Sequence, residues 1–166
     1  MIVMKSQQVE TAFMQFICLM KYMYTNPTKE AIPVEEEIDY IRQYIEIQKY
    51  RTENKDSIQL SYYNDNKRQG LQIVPMLLIT FVENAIKYGL SSTDDRQVYI
   101  VIRIEDGTLF FSTQNQKPTD RRGHSAGIGI SNCRKRLELA YPKRHKLEIN
   151  DADGLYTVLL SITLIN

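Results

Sequence analysis

The chain has 166 residues, a length typical of one domain or of one domain with a short appendage. Its apolar fraction of 43% is sufficient for a hydrophobic core and excludes an intrinsically disordered chain. With 21 Lys and Arg against 20 Asp and Glu, the net charge is +1, which argues against direct nucleic-acid binding through a broad basic surface.

Membrane-spanning, secreted and zinc-binding proteins are also disfavoured. No window approaches the roughly 18 consecutive apolar residues of a membrane span, and the first residues are too few for the apolar core of a signal peptide. Cys18 and Cys133 lie far apart in helix-like segments, which argues against a disulfide framework or a Cys-based zinc site and predicts a reducing cytosol. His124 and His145 are too few for a His-rich metal site.

The N-terminal part of the chain is predicted to form two helices. Residues 5–24 carry apolar side chains at helical spacing, rich in Met and Phe, and this stripe has no partner within its own segment. The stripe either packs on its own domain or forms one arm of a dimeric bundle. The segment 25–28 ends this helix, and Pro33 opens a second helix toward Arg51, with three acidic residues, Glu35–Glu37, in its first turn.

The middle of the chain is predicted to contain strands, two hairpins and a helix. Strand patterns cover residues 57–63, 97–104, 108–114, 145–150 and 155–164. The hairpin turns are predicted at Asp106-Gly107 and at residues 151–154. A helix is predicted over Val74–Tyr88, with Pro75 in its first turn and Gly89 as its C-terminal stop.

A polar segment, residues 116–126, leads to the last predicted helix, which opens with Gly127-Ile128-Gly129-Ile130 and runs to about Ala140. Helices and strands therefore do not alternate strictly along the chain, which argues against a doubly wound parallel sheet. The element order predicts an α/β (α+β) fold with a mixed or antiparallel sheet and helices on one face, preceded by N-terminal helices.

One predicted helix has a polar face of unusual chemical composition. The residues at spacing i, i+3, i+4 and i+7 are Thr80, Glu83, Asn84 and Lys87, and Tyr88 borders them. An amide oxygen is a hard ligand suited to Mg²⁺, an amine can face a phosphate, and a carboxylate can accept a proton. A solvated helix face is the ordinary interpretation of such a stripe taken alone.

The glycines at 127 and 129 add a second signal. Glycine allows the backbone to approach a phosphate closely, and a helix N-terminus supplies free amide groups and a partial positive charge. The polar segment 116–126 could act as a lid over bound phosphates. Each feature alone is also typical of ordinary loop structure.

The combined order of motifs resembles a known superfamily over nearly the whole chain. Phe81–Gly89 looks like the N box of GHKL ATPases. Resemblance to LytS-like sensor histidine kinases is carried by Gly127–Asn132, Arg136–Leu139 and Tyr141-Pro142, and upstream by Leu19–Tyr22, Val34–Ile41 and Tyr44–Lys49. The upstream segments are similar to the part of that family that links the dimerisation helices to the catalytic domain.

This resemblance implies a Bergerat-type two-layer α/β sandwich that binds ATP and Mg²⁺ between the sheet-packed helices and a lid. It divides the chain into a dimerisation-helix remnant and linker at residues 1–32 and a GHKL catalytic domain at residues 33–166. By the same resemblance, Asn84 coordinates Mg²⁺, and Glu83 assists proton removal from an attacking histidine.

The resemblance assigns four further residues to the nucleotide. Lys87 and Tyr88 are expected to contact it, and Gly127 and Gly129 are expected to bound the lid and cradle phosphate. The adenine-reading aspartate of such kinases has Asn115 as its positional match, since Asp106 falls in a predicted turn. An asparagine can accept from and donate to adenine, but Asn115 can equally be a turn residue at the strand end.

The resemblance also defines what this sequence lacks. The glycines that follow the adenine-reading residue are replaced by Gln116-Lys117-Pro118, and the chain has no His-Phe phosphoacceptor motif. We therefore expect a fragment of a longer, homodimeric kinase whose sensor and membrane segments precede Met1, with this part in the cytoplasm of a bacterium and the parent anchored in the inner membrane. The expected partner is a response regulator receiver domain. Alternatives are a non-catalytic nucleotide-binding or dimerisation module and a GHKL ATP-hydrolysing switch.

Overall fold

A computed structural model describes residues 2–26, 28–50, 52, 54–65, 70–90, 97–117 and 128–164 of the chain. The helices are α1 Ile2–Thr25, α2 Val34–Lys49, α3 Leu78–Gly89 and α4 Ile128–Ala140. The strands are β1 Ile32–Pro33, β2 Ile58–Asn64, β3 Gln72–Ile73, β4 Val98–Glu105, β5 Thr108–Gln116, β6 His145–Ala152 and β7 Leu155–Thr163. A short 3-10 turn, Lys55–Ser57, precedes β2.

Five strands form one mixed sheet in the order β2-β4-β5-β7-β6. The β2-β4 pair is parallel and the other pairs are antiparallel. Along β4 buried and exposed residues alternate, with Val98, Ile100, Ile102 and Ile104 on the buried side. One face of the sheet is therefore covered, and the prediction of a mixed sheet with helices on one side is confirmed.

The covering layer is formed mainly by α3, which packs across β4 and β5. The rings of Phe81 from α3 and Phe111 from β5 lie 6.0 Å apart between centroids in a tilted arrangement. The inner side of α4 is buried at Cys133 and Leu137, and Tyr141, which directly follows the helix, is buried as well. The molecule is thus a two-layer α/β sandwich, as the sequence resemblance implies.

Both hairpins turn through an Asp-Gly pair with positive φ angles. Asp106 and Gly107 have φ of 48° and 80°, and Asp153 and Gly154 have φ of 53° and 75°. This geometry belongs to the tight two-residue turns that match the twist of the paired strands. The second turn is shorter than predicted, because β6 continues its pairing with β7 as far as Ala152.

The start and end of α3 differ from the prediction. The helix begins at Leu78 rather than Val74, and Pro75 lies in a turn with Met76 at φ 57°. Gly89 is the last helical residue rather than a left-handed stop. A Cβ at Gly89 would lie 2.5 Å from Asn115 Cβ and 2.7 Å from Val98 Cγ2, so close packing on the sheet is what requires glycine there.

A second, two-stranded sheet that the sequence patterns did not predict joins the linker to the segment before α3. Ile32 pairs with Ile73 in an antiparallel register, and the Val34 amide donates to the Leu71 carbonyl at 2.9 Å. Strands of two residues are too short to show an alternating pattern, which explains why they were missed.

Helix α1 packs on α2 with one side and exposes another. Leu19 is buried, and the Tyr22 ring stacks on Tyr40 of α2 with centroids 4.1 Å apart. The exposed side carries large apolar residues, namely Phe13, Met14, Phe16, Ile17, Met20, Met23 and Tyr24. Among the described residues, no helix combines the length and apolar character required to cross a membrane.

Candidate functional site

Helix α3 has the amphipathic arrangement that the sequence predicts. Its sheet-facing side is buried and comprises Leu78, Ile79, Phe81, Val82, Ala85, Ile86 and Gly89. On the opposite side Glu83 and Lys87 are exposed, while Thr80, Asn84 and Tyr88 are partly buried. The five polar residues therefore share one accessible face, called the α3 polar face below.

The side chain of Asn84 has a defined orientation on this face. Its Nδ2 donates to the Thr80 carbonyl at 2.9 Å, and the Thr80 hydroxyl donates to the Met76 carbonyl at 3.3 Å. A carbonyl oxygen can only accept, so the contact with Thr80 must be made by the amide nitrogen. The Asn84 Oδ1 therefore points away from the helix backbone and is available as an oxygen ligand.

Glu83 is exposed, yet the surrounding protein removes part of its hydration and raises the pKa of its carboxyl group. Tyr40 of α2 lies close enough to Glu83 for the carboxylate charge to interact with the Tyr40 hydroxyl. Burial is the main cause that raises the pKa of Tyr40 to about 12, and the charges of Glu83 and Glu37 add to it. Glu83 thus combines access to solvent with a raised pKa, as a proton acceptor requires.

The C-terminal end of the polar face holds a cation beside an aromatic ring. The Lys87 Nζ lies 5.0 Å from the centroid of the Tyr88 ring. Lys87 is in the last turn of α3, where the helix dipole favours positive charge. An amine held in this way is placed to meet a ligand phosphate as a point charge.

The N-terminal end of α4 approaches the polar face of α3. A Cβ built on Gly129 would lie 3.4 Å from Thr80 Cγ2 and 3.8 Å from Asn84 Nδ2. The first turn of α4, where backbone amides carry a partial positive charge, is therefore adjacent to the Asn84 amide. Gly127 and residues 118–126 of the expected lid lie outside the described residues, and so does His124.

Asn115 lies inside β5 and not in a turn at its end. It pairs with Val98 and Tyr156 on the two neighbouring strands and is only 2% exposed. Its Nδ2 donates to the Gln116 carbonyl at 3.1 Å, and its Oδ1 is buried without a hydrogen-bond partner in the described part of the chain. Such a buried, unpaired acceptor is costly unless a ligand or water satisfies it.

The contact between Gly89 and Asn115 fixes where this acceptor lies. Gly89 ends α3, about 7.5 Å along the helix axis from Asn84 at the standard rise per residue. The structure therefore brings Asn115 to the C-terminal end of α3 and Gly129 to its middle. Thr113, two residues before Asn115 on the same face of β5, has a buried hydroxyl that is likewise without a partner among the described residues.

Three residues that pattern analysis did not select as site residues hold the segment before α3. Glu37 of α2 accepts hydrogen bonds from backbone amides at the start of α3. Arg136 of α4 donates to the carbonyls of Pro75 and Met76 at 2.6 and 3.2 Å. The Tyr141 hydroxyl accepts from the Val74 amide at 2.9 Å.

A sequence signal for Glu37 does exist. It lies at helical spacing from the buried residues Val34, Ile38 and Ile41, on the apolar side of α2. The first-turn interpretation grouped it with Glu35 and Glu36, which are exposed. A carboxylate among apolar positions is informative because ionisable side chains are almost never fully buried without partners.

The donor set is suited to a divalent ion held jointly with a phosphate ligand. Among the described residues, no cluster of three or more His, Cys, Asp or Glu side chains could bind a metal by itself. A neutral amide oxygen such as Asn84 Oδ1 is a typical Mg²⁺ ligand when phosphate oxygens and water complete the coordination.

Comparison with known proteins gives consistent matches. The histidine kinase family matches residues 1–56. Sensor histidine kinase YesM from Bacillus subtilis (strain 168) is 27% identical over 128 residues, which is 74% of this chain and 22% of YesM. The chain therefore spans about a fifth of the length of this curated relative.

Solved structures share the fold at low sequence identity. The catalytic domain of histidine kinase ThkA is 19% identical with a TM-score of 0.53, and the match covers 80% of this chain and 94% of that one. Full-length ShkA, solved with AMPPNP, is 14% identical with a TM-score of 0.53 over 95% of this chain and 36% of its own. ThkA in complex with the response regulator protein TrrA matches with a TM-score of 0.50 and 18% identity, over 97% of this chain and 48% of that one.

The family match covers α1, the linker and α2, whereas the fold match extends over 80% of the chain. The first finding rests on residue identities and the second on backbone geometry. Together with the curated relative, they agree with the expected resemblance: the chain is similar in sequence to histidine kinases and shares the fold of histidine kinase catalytic domains.

Proposed function

We propose that the chain is the ATP-binding catalytic domain of a two-component sensor histidine kinase, which transfers the ATP γ-phosphoryl group to a histidine. The observation that carries this proposal is the placement of Gly129 beside Asn84 on the α3 polar face, together with the buried Asn115 amide that packs against Gly89 at the C-terminal end of the same helix. Two of them offer an amide oxygen whose own NH₂ group is already used by a backbone carbonyl. Such oxygens are free for a cation or for an amino group.

The adenine end of the nucleotide is assigned to Asn115. Its buried Oδ1 accepts a hydrogen bond from the adenine amino group, which removes the cost of leaving that oxygen unpaired. The phosphate end lies toward the start of α4, where the backbone amide of Gly129 faces the anion. The family resemblance assigns Gly127 to the same phosphate-binding role. Lys87 and Tyr88 contact the nucleotide from the last turn of α3.

At the reacting centre, Asn84 Oδ1 supplies an oxygen ligand for Mg²⁺, which neutralises charge on the phosphates when bound. Glu83 accepts the proton of the attacking imidazole, and its raised pKa brings it closer to neutral pH. Positioning and electrostatic stabilisation account for most of the rate in phosphoryl transfer, so rigid placement of these groups is the main contribution of the fold.

The phosphoacceptor histidine is assigned to a part of the parent protein outside this sequence. His145 starts β6, and its Nδ1 is hydrogen-bonded to the Tyr141 carbonyl at 2.7 Å. This contact holds the ring against the end of α4, away from the α3 polar face. His124 belongs to the expected lid, and neither histidine lies in a His-Phe motif.

We further propose a division into residues 1–32, a dimerisation-helix remnant and linker, and residues 33–166, the catalytic domain. The exposed apolar stripe of α1 supports homodimerisation of the parent through this helix. Side-chain packing crosses the boundary between these two parts, because Leu19 and Tyr22 of α1 pack into the same hydrophobic core as α2. The proposed downstream partner is a response regulator receiver domain, and the proposed location is the cytoplasmic side of a membrane-anchored sensor.

A non-catalytic nucleotide-binding module is a second candidate, and one observation favours it. Gln116 and Lys117 stand where the glycines of related kinases follow the adenine-reading residue. Here Gln116 continues the pairing of β5 with Leu155, and the Lys117 amide donates to the Gly154 carbonyl at 2.8 Å. The strand is therefore longer and more rigid at this point than a glycine turn would be.

The test measures binding and transfer separately. Affinities of ATP and ADP with and without Mg²⁺ are measured by calorimetry, and γ-phosphate transfer is then assayed with a supplied His-containing dimerisation helix. Transfer supports the kinase. Binding without transfer favours the non-catalytic module, hydrolysis without transfer favours an ATP-driven switch, and absence of binding contradicts all three.

A further inference from the structure

Glu37 connects three helices through a single buried carboxyl group. The side chain belongs to α2 and the residue has no solvent exposure. It accepts hydrogen bonds from α3 and from Tyr22 of α1. None of these contacts involves the residues proposed to bind nucleotide or to transfer phosphate.

On the α3 side, the carboxylate replaces the cap that the helix lacks. The Met76 amide donates to Glu37 Oε2 at 2.8 Å, and the Leu78 and Ile79 amides donate to Oε1 at 3.0 and 3.4 Å. The N-cap residue Leu77 provides no side-chain hydrogen bond. A negative charge at this end also matches the helix dipole.

These contacts hold a strained piece of backbone next to the polar face. Met76 has a φ of 57°, which is costly for a residue with a side chain. Its carbonyl accepts from the hydroxyl of Thr80, and the Thr80 carbonyl in turn accepts from Asn84. The orientation of the Asn84 amide therefore depends, through this chain of bonds, on the position of the first turn.

On the α1 side, the hydroxyl of Tyr22 donates to Glu37 Oε2. The Tyr22 ring stacks on Tyr40, and its neighbours Met20 and Met23 belong to the exposed stripe of α1. Rotation or displacement of α1 would withdraw this hydroxyl. The buried Glu37 carboxylate would then lose a hydrogen-bond donor, and an acceptor left unpaired in the protein interior costs free energy.

We propose that Glu37 is a positioning residue that sets the first turn of α3, and that its bond to Tyr22 makes nucleotide affinity depend on the placement of α1. The inference deepens the proposed function and rests on it. A signal that moves α1 would in this way change the orientation of the Asn84 amide, although α1 itself makes no contact with the nucleotide in this proposal. The chemistry of transfer is unchanged by this role.

The test uses Tyr22→Phe in the full chain, with Tyr62→Phe as a matched control. Tyr22→Phe removes one hydroxyl and retains the stacked ring. Tyr62→Phe removes a hydroxyl that donates to Glu35 of the same helix at 2.6 Å, from a half-buried side chain on β2. Two quantities are measured for each variant: the affinity of Mg²⁺ and ATP added together, and amide hydrogen exchange of the backbone segment 76–80 without nucleotide.

We expect Tyr22→Phe to weaken nucleotide affinity by about fivefold or more, in the range of allosteric couplings, and to accelerate exchange at 76–80. Tyr62→Phe should leave both quantities at the wild-type level. Equal behaviour of the two variants overturns the inference, as does faster exchange with unchanged affinity. If the wild-type chain binds no nucleotide, the proposed function fails, and the exchange measurement alone then decides whether Glu37 positions α3 through Tyr22.

Discussion

At the scale of single residues, the candidate site depends on two asparagines that are used in the same way. Each donates its amide NH₂ group to a backbone carbonyl, Asn84 to Thr80 and Asn115 to Gln116. Because these bonds fix the amide orientation, the oxygen of each side chain points away from its donor contact. The two residues differ in exposure, so one is suited to a hydrated cation and the other to a buried base.

Replacing Asn84 by Ala should abolish the Mg²⁺-dependent part of ATP binding and leave the fold intact. The variant loses an oxygen ligand on a partly exposed face, so its stability should change by only about 1 kcal/mol. Thermal unfolding with ATP, with and without Mg²⁺, measures both effects. Gln59→Ala, on the uncovered side of β2, is the control. Full retention of the Mg²⁺-dependent stabilisation would contradict the metal assignment.

Replacing Asn115 by Ala should reduce the preference for ATP over GTP by roughly tenfold, the range expected for a good amide–base contact. The physical reason is loss of the only acceptor that we assign to the adenine amino group. Competition between the two nucleotides for a fluorescent analogue measures the ratio. Thr113→Val is the comparison, because it removes the neighbouring buried hydroxyl. An unchanged ratio in the Asn115 variant would remove this residue from the site.

Gly89→Ala should destabilise the chain even though alanine is the better helix former. Helix propensity favours the change by about 1 kcal/mol, but overpacking against the Asn115 and Val98 side chains should cost about 1–3 kcal/mol. Urea unfolding measures the sum. Gly129→Ala is the control, since its new Cβ meets its nearest neighbour at an ordinary 3.4 Å. Equal stability of the two variants would contradict the close approach.

At the scale of elements, α3 owes its N-terminus to residues from other helices. The local sequence places Pro75 where a first helical turn is expected, but the chain there forms a turn with Met76 at positive φ. Glu37 from α2 and Arg136 from α4 bind the amides and carbonyls of that turn. Tertiary contacts therefore decide where this helix begins, and they override the helix propensity of the local sequence.

The buried carboxyl group of Glu37 should give stability a recognisable pH dependence. Burial raises the pKa of Glu37 from its ordinary value of 4.5, although hydrogen bonds from Tyr22 and from the α3 amides lower it in part. The folded state then binds this proton more tightly than the unfolded state. The unfolding free energy should therefore fall as the pH rises from 4.5 through the raised pKa.

Urea unfolding across that pH range tests the prediction. Glu37→Gln removes the titrating group, so the contribution of this residue to the slope should disappear. Glu36→Gln, at an exposed position in the same turn, should keep the wild-type slope. A Glu37→Gln variant with the unaltered pH dependence would show that this carboxyl group does not titrate differently on folding.

At the scale of the whole molecule, α1 is notable because it leaves large apolar side chains exposed. It contributes Leu19 and Tyr22 to the core, yet Phe13 is 62% exposed and Phe16 is 53% exposed. Large apolar side chains clustered on one side of a helix are typical of an association surface. Both initial interpretations of the helix thus have support, because one side packs on the domain and another remains open.

The paired substitution Phe13→Gln and Phe16→Gln should weaken self-association of the chain. Each aromatic side chain contributes about 1.5–3 kcal/mol when buried, so the dimer dissociation constant should rise by at least tenfold. Sedimentation equilibrium measures it. Leu159→Gln, an exposed apolar position on the sheet, is the control. Substitution is preferable to deletion of α1, which would also remove Tyr22 from the core.

Much of the fold could be predicted from local signals. The α3 stripe and the Asp106-Gly107 turn follow from periodicity and turn chemistry, and the structure confirms both. The two-residue strands β1 and β3 and the buried Glu37 were missed, because they depend on partners distant in sequence. The grouping of side chains on the α3 polar face follows from helical spacing, whereas the roles of these residues are implied by the family resemblance and remain predictions.

The sequence by itself determined which side chains lie on each face of its helices and strands, since the helical and strand periods are fixed by backbone geometry. Only the tertiary structure decided which faces meet. It placed Asn115 against Gly89 and Gly129 beside Asn84, and it drew Glu37 beneath the first turn of α3. Contacts between residues far apart in the chain are selected by close packing and by pairing of buried polar groups, which no local pattern encodes.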